Sequence, residues 1–196
     1  MGRFADLIGR HVRRYAHLGA EVASNGAVRT GRVAHLSGSA WLITTYPGLT
    51  EERIGRIVQL IRRRLPDALE EFYRDVNGFN YLQDSFVMTG LPEGNFRASH
   101  APPMPFFIET LDMRERPRDA EADMVFFGAY DDNLSRIYMR EHDSRVFYCA
   151  SGSAVPLGEW PSLYDCLESE LDRLDRLRDR RGELLDLERS PLPFGR

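Results

Sequence analysis

At 196 residues, with 42% hydrophobic and 11% aromatic side chains, the chain has the size of one domain around one sizeable core. Its net charge of -4 is mild and argues against non-specific nucleic-acid binding, and its two cysteines make neither a disulfide framework nor a metal-ligand spacing. No apolar run is long enough to span a bilayer, and the arginine-bearing N-terminal segment lacks the unbroken apolar stretch of a secretory signal, so the expected location is cytoplasmic and no membrane is expected as a partner.

Phe4, Leu7, Ile8, His11 or Val12, Tyr15 and Leu18 recur at helical spacing before Gly19, which predicts a first helix with Arg3, Arg10, Arg13 and Arg14 on a solvated face. Residues 23–47 are small and polar, with two weak strand-like pieces at 28–36 and 40–46 that form a hairpin or a mobile connection. Thr50 is a good helix N-cap, followed by Glu51 and Glu52 and then by Ile54, Ile57, Val58, Ile61 and Leu65 on one face. Pro66 breaks that helix and starts another, which places Leu69, Phe72, Tyr73 and Val76 on one face and is expected to stop at Asn77-Gly78, the pair most tolerant of positive φ.

Beyond Gly78 the period changes. Short strands are expected at 81–82 and 85–89, then a proline-rich surface loop over 90–105, a strand over 106–111, a connection over 112–122 and a strong strand over 124–130. Asp131-Asp132-Asn133 reads as a turn into a half-buried strand over 135–141, where Ile137 and Met139 alternate with Arg136, Tyr138 and Arg140. A turn at 142–144 leads to a strand over 145–150, so 124–150 is an antiparallel meander of three strands. Glycine and proline punctuate 151–158. Pro161 opens a long helix, with Ser162 in its first turn, whose apolar face carries Leu163, Cys166, Leu167, Leu171, Leu174 and Leu177. Leu184, Leu185 and Leu187 extend that helix or pack separately, and residues 190–196 are expected to fray. The predicted class is α+β: N-terminal helices, a central antiparallel sheet (meander), and a C-terminal helix packed on the sheet. Leu65, Leu69, Phe72 and Val76 are expected to share one core with Val125, Phe127, Ile137 and Phe147.

The segment Leu65-Pro66-Asp67-Ala68-Leu69-Glu70-Glu71-Phe72-Tyr73-Arg74-Asp75-Val76-Asn77-Gly78-Phe79 follows the pattern LPxx(L/Y)xxFYxxxNGF. With the strand ending in Val125-Phe126-Phe127-Gly128, the strands through Ala150, and the helix opening Pro161-Ser162-Leu163-Tyr164-Asp165-Cys166-Leu167, the chain resembles the SMI1/KNR4 family, also called the SUKH superfamily, over residues 48–174. It departs from the family at Arg56 or Gln59, where an acidic residue is frequent, and at 129–133, where the family turn is richer in glycine. The resemblance implies an SMI1/KNR4-like domain over 48–189, an N-terminal extension over 1–47 and a tail over 190–196. It also implies a non-enzymatic protein binder without catalytic residues, cofactor or metal. Bacterial members resemble immunity proteins that neutralise polymorphic or contact-dependent toxins, often nucleases, so the implied partner is a toxin domain, with no direct nucleic acid. Fungal relatives are regulatory scaffolds, which is the alternative within the family.

The chemistry-bearing residues yield few sites. Asp131 and Asp132 pair carboxylates that suit acid/base work or a metal, and they underlie a third reading as a small hydrolase or nucleotide-binding enzyme, but no His or Cys motif accompanies them and turn solvation is the ordinary explanation. His11, His17, His35, His100 and His142 are scattered along the chain, and Ser151-Gly152-Ser153 lacks a nucleophile or phosphate-loop frame. Phe126, Phe127, Tyr138, Phe147 and Tyr148 divide between core packing and surfaces able to stack on bases. The expected partner-binding residues are Asp131, Asp132 and Asn133, presented beside an exposed sheet face to the basic groove of a toxic nuclease. Glu141 and Asp143 lie in the next turn, at the other end of the sheet.

Overall fold

The computed structural model of the chain describes residues 2–33, 40–93, 102–131, 133–186, 190 and 192–194. The first helix, α1, spans Arg3–Tyr15; a 3₁₀ turn, Ala16–Leu18, continues it to Gly19, whose φ of 105° ends it. Gly2 supplies no side-chain cap. Asp75, 71 residues beyond Phe4, takes that role: its Oδ2 accepts from the Phe4 N–H at 2.9 Å and places a negative charge at the positive end of the helix dipole. The helix α2 spans Glu51–Ile61, with the Thr50 hydroxyl accepting from Arg53 N–H, and ends where Arg62 turns left-handed. After Pro66 comes α3, Asp67–Asp75, and after Ser162, whose hydroxyl accepts from Asp165 N–H at 3.2 Å, comes α4, Leu163–Asp175. Ser162 is therefore the cap of α4, one step before its first turn. No described helix is long and apolar enough to cross a membrane.

Nine strands form one antiparallel sheet in chain order: β1 (Ala20–Val22), β2 (Val28–Arg32), β3 (Trp41–Pro47), β4 (Val76–Tyr81), β5 (Phe86–Met88), β6 (Met124–Ala129), β7 (Arg136–Arg140), β8 (Val146–Cys149) and β9 (Pro156–Trp160). The α+β class and the meander are thus present, and the meander is larger than the three strands read from 124–150. Residues before Gly48 supply α1 and three of the strands, and β3 pairs directly with β4. The edge strands β1 and β9 escape sequence reading because β1 is exposed throughout and β9 buries little besides Trp160, so neither shows an alternating apolar pattern.

The sheet buries both faces around its middle. Val125, Phe127, Ile137, Met139, Val146 and Tyr148 face the main core, which they share with Phe4 and Leu7 of α1, Phe72 of α3 and Leu167 and Leu171 of α4. Leu65, Leu69 and Val76 belong to the same core, as expected. Phe147 does not: it joins Met124, Phe126, Tyr138 and Cys149 in a second cluster on the opposite face, under Leu111 and Ala154. The reason is the period of two along β8, which sends Phe147 away from its neighbours Val146 and Tyr148. By the same alternation β7 is covered on both sides rather than half-buried: Tyr138 donates to Ala154 O at 3.0 Å, and Arg136 donates to Glu115 Oε2 at 3.1 Å and to Glu115 O.

Two further expectations are corrected. The end of α3 is Asp75, and Asn77-Gly78 lie within β4 instead of stopping a helix. Asn77 is buried there and clamps the backbone of Leu91, donating from Nδ2 to its carbonyl at 2.9 Å and accepting from its N–H at 2.7 Å. Gly78 does use its positive φ, 81°, but to let β4 pass the Met88 carbonyl, which would lie 2.5 Å from an added Cβ. The run 106–111 is not a strand. Phe107 makes a single parallel bridge with Gly90, after which the backbone coils into a π-helical turn, Thr110–Arg114. Asp112 fixes this path: its wholly buried carboxylate accepts from Phe126 N–H at 2.9 Å, from Arg116 at 3.1 Å and from Arg63, which straps residues 107–116 across β6. The loop expected over 90–105 has residues 94–101 outside the described residues, as has Leu187.

Candidate functional site: an acid-rimmed apolar groove

Because successive hairpin turns alternate between the ends of a sheet, the β4–β5 and β6–β7 turns share one end, and the turn carrying Glu141 and Asp143 lies at the other. Both turns of the shared end hold unusual backbone. Leu82, Gln83 and Asp84 are three consecutive non-glycine residues at positive φ (48°, 57° and 65°), and Leu134 follows at 56°. The first turn is held by Gln83 N–H, which donates to Leu42 O at 3.0 Å, and by Asn80 Nδ2, which donates to Asp84 Oδ1 at 2.5 Å. In the second, Asn133 Oδ1 accepts from Ser135 N–H at 2.9 Å, and Tyr130 N–H donates to Ser135 O at 3.0 Å.

Between the turns lies a cavity of about 230 Å³. It is lined by Val87, Thr89 and Ala129 of the sheet region, by Phe106, Phe107 and Leu111 of the segment beside it and by Leu134 of the β6–β7 turn, and Asp84, Glu115 and Asp131 supply its charges. Phe106 is 54% exposed and Leu134 58%, large apolar side chains left to water at a place where the backbone is also strained. Glu115 is engaged by Arg136. Among the described residues, no cation pairs with Asp84 or Asp131. Burial raises the carboxyl of Asp84 above the ordinary aspartate range; the Asn80 amide opposes this, and the negative charge of Asp131 adds to it. The groove thus stores an uncompensated negative potential next to apolar surface.

Asp84 also borders a second, more polar cavity of about 350 Å³ over β2–β4, lined by Arg29, Trp41, Thr44 and Asn80. Asn80 Oδ1 is buried without a hydrogen-bond partner among the described residues, while Arg29 is paired with Glu21 at 3.0 Å.

Of the residues expected to meet a partner, Asp131 lies at the groove, Asn133 is spent on its own turn, and Asp132 lies outside the described residues. Asp143 is bound by Arg145 at 2.7 Å. Phe126, Phe127, Tyr138, Phe147 and Tyr148 are all buried and present no stacking surface. Sequence reading missed Asp84, Phe106 and Leu134. Leu134 carried the one usable signal, an apolar residue without periodic partners in the otherwise polar run Asp131-Asp132-Asn133-Leu134-Ser135.

A different polar centre joins α1 to α4. His11, isolated in the sequence, has its Nδ1 2.8 Å from Asp175 Oδ2, while Tyr15 and Tyr81 donate to Asp175 Oδ1 at 3.1 Å and 2.6 Å. The Nε2 of His11 is 3.8 Å from Asp172, in a cavity of about 290 Å³ that also touches Arg10, Arg14 and Glu168. Among the described residues, no Ser, Thr or Cys lines that cavity, and both Asp175 oxygens are engaged by side chains of the fold itself, so the centre reads as a helix clasp. Burial, followed by the charge of Asp175, pushes the Tyr81 hydroxyl well above the usual tyrosine range and keeps it a donor. The two cysteines are buried and free, and burial raises the Cys149 thiol to about 11. Among the described residues, no group of three or more His, Cys, Asp or Glu side chains is placed to hold a metal ion. Set against known proteins, the chain matches no family model, and no curated protein matches it.

Proposed function

We propose that the chain is a non-enzymatic protein-binding domain of SMI1/KNR4 type, acting as an immunity protein that neutralises a bacterial toxin domain in the cytoplasm. The observation that carries this reading is the groove between the β4–β5 and β6–β7 turns, where exposed Phe106 and Leu134 line the same cavity as Asp84 and Asp131, carboxylates with no cation partner among the described residues. Apolar side chains exposed together at one spot favour contact with another macromolecule, and uncompensated acid favours a basic one. A nuclease toxin fits, because its substrate groove must be positive to hold phosphates. The sequence resemblance over 48–174 supplies the class of partner, and the same surface would serve a regulatory scaffold if the partner were not toxic.

The test is co-expression. A toxin domain encoded beside this chain in its native genome should kill a host when expressed alone and should be tolerated when the chain is present. The purified pair should co-elute on size exclusion. Killing that continues despite full expression of the chain, for every neighbouring toxin, would remove the immunity reading.

A further inference from the structure

The partner's contact at this groove can be specified from the groove's own chemistry. Its lining is largely apolar, with Phe106 and Leu134 both exposed at it, while its charged lining residues, Asp84, Glu115 and Asp131, are all of one sign. Among the described residues, Glu115 is the one of its three carboxylates that is neutralised from within the fold, by Arg136. Asp84 is held by one neutral donor, Asn80 Nδ2, and is close enough to Asp131 to feel its charge. Two such carboxylates at an apolar slot are complementary to a side chain that is aliphatic along its stem and positive at its tip.

We infer that the groove is the receptor for one Lys or Arg side chain presented on an apolar segment of a protein partner, its stem gripped between Phe106 and Leu134 and its charge shared by Asp84 and Asp131. This rests on the protein-binding reading above. It adds the kind of residue the partner must supply and assigns Asp84, Phe106 and Leu134 as its contacts. The volume, about 230 Å³, admits one such side chain and excludes a whole helix, so the partner is anchored by a single inserted residue, with surrounding contacts made outside the groove.

The probe is a random twelve-residue peptide library displayed on phage and panned against the full chain, with the enriched peptides then synthesised and titrated calorimetrically. The expected result is peptides that share a Lys or Arg flanked by apolar residues. Their affinity should fall about tenfold with Asp84→Asn and with Leu134→Asn, the latter chosen because asparagine accepts the left-handed backbone there. Replacing the peptide's cation by norleucine should lower affinity similarly and abolish any further effect of Asp84→Asn, the signature of a direct pair. Circular dichroism and thermal melting confirm that each variant is folded. Enriched peptides without a cation, binding indifferent to Asp84→Asn and Leu134→Asn, or no enrichment at all would each overturn the inference. None of these outcomes touches the co-expression result, which judges the immunity reading by survival alone; conversely, failed protection with groove-dependent peptide binding would leave the receptor and remove the toxin.

Discussion

One face of the sheet is treated in two ways along its width. Over β6–β8, Leu111 and Ala154 close a second core on Phe126, Tyr138 and Phe147; over β5–β6 the segment carrying Phe106, Phe107 and Leu111 borders an open groove. Each half contains an aspartate whose carboxyl is raised by burial, Asp112 wholly buried and Asp84 half-buried, yet their surroundings differ. Asp112 is opposed by the Phe126 N–H, Arg63 and Arg116, whereas Asp84 has the Asn80 amide and faces the like charge of Asp131. A buried carboxylate whose two oxygens accept from two arginines and a backbone N–H belongs to the fold, and one lacking a counter-charge among the described residues is a cost that folding alone does not repay. The contrast separates architecture from a surface waiting for something else.

The largest effect is expected at Asp112. Asp112→Ala leaves two arginines and a backbone N–H without their partner and should lower the unfolding free energy by about 3–5 kcal/mol in urea denaturation. An effect below about 1 kcal/mol would mean that the crossing segment is held by apolar contacts and that the two halves do not differ in kind. Asp84→Asn should move the other way, raising stability by roughly 0.5–2 kcal/mol at neutral pH. The sign follows from linkage: a carboxyl whose folded-state pKa is raised contributes stability that is lost as pH rises through that pKa. The gap between variant and wild type should therefore vanish below about pH 4, where aspartate is protonated in both states, and open as pH rises. The smallest effect belongs to Leu134→Asn, which should change stability by no more than about 0.5 kcal/mol, because the leucine is exposed and asparagine tolerates its backbone. A large loss there would show that Leu134 packs for the fold and not for a partner.

What the sequence disclosed depended on range. Ile54, Ile57 and Ile61, or Leu163, Cys166, Leu167, Leu171 and Leu174, announce their helices because each apolar stripe is a local pattern. The strand pairs from Met124 to Cys149 are legible by alternation and by the turns between them. Residues 106–111 were misread because a short apolar run suits a strand or a coil equally, and the arbiter, Asp112, bonds to Phe126 fourteen residues away. Asn77-Gly78 has the composition of a stop signal, and only the position of Leu91 shows that it serves a strand. The groove was legible only at Asp131. Asp84 is unremarkable in sequence and becomes significant through burial against β5 and the charge of a turn 47 residues later, neither of which is encoded near it.

The clasp on Asp175 carries a consequence for how the chain is made. Its His11 contact spans 164 residues, and Tyr15 reaches the same carboxylate across 160. During vectorial synthesis α1 emerges first but finds its acceptor only when α4 leaves the ribosome, roughly 8–30 s later at ordinary elongation rates of about 5–20 residues per second. Through that interval Phe4, Leu7 and Ile8 have no α4 to lie against. Slow codons late in the message would lengthen that exposure, whereas slow codons before α1 would not.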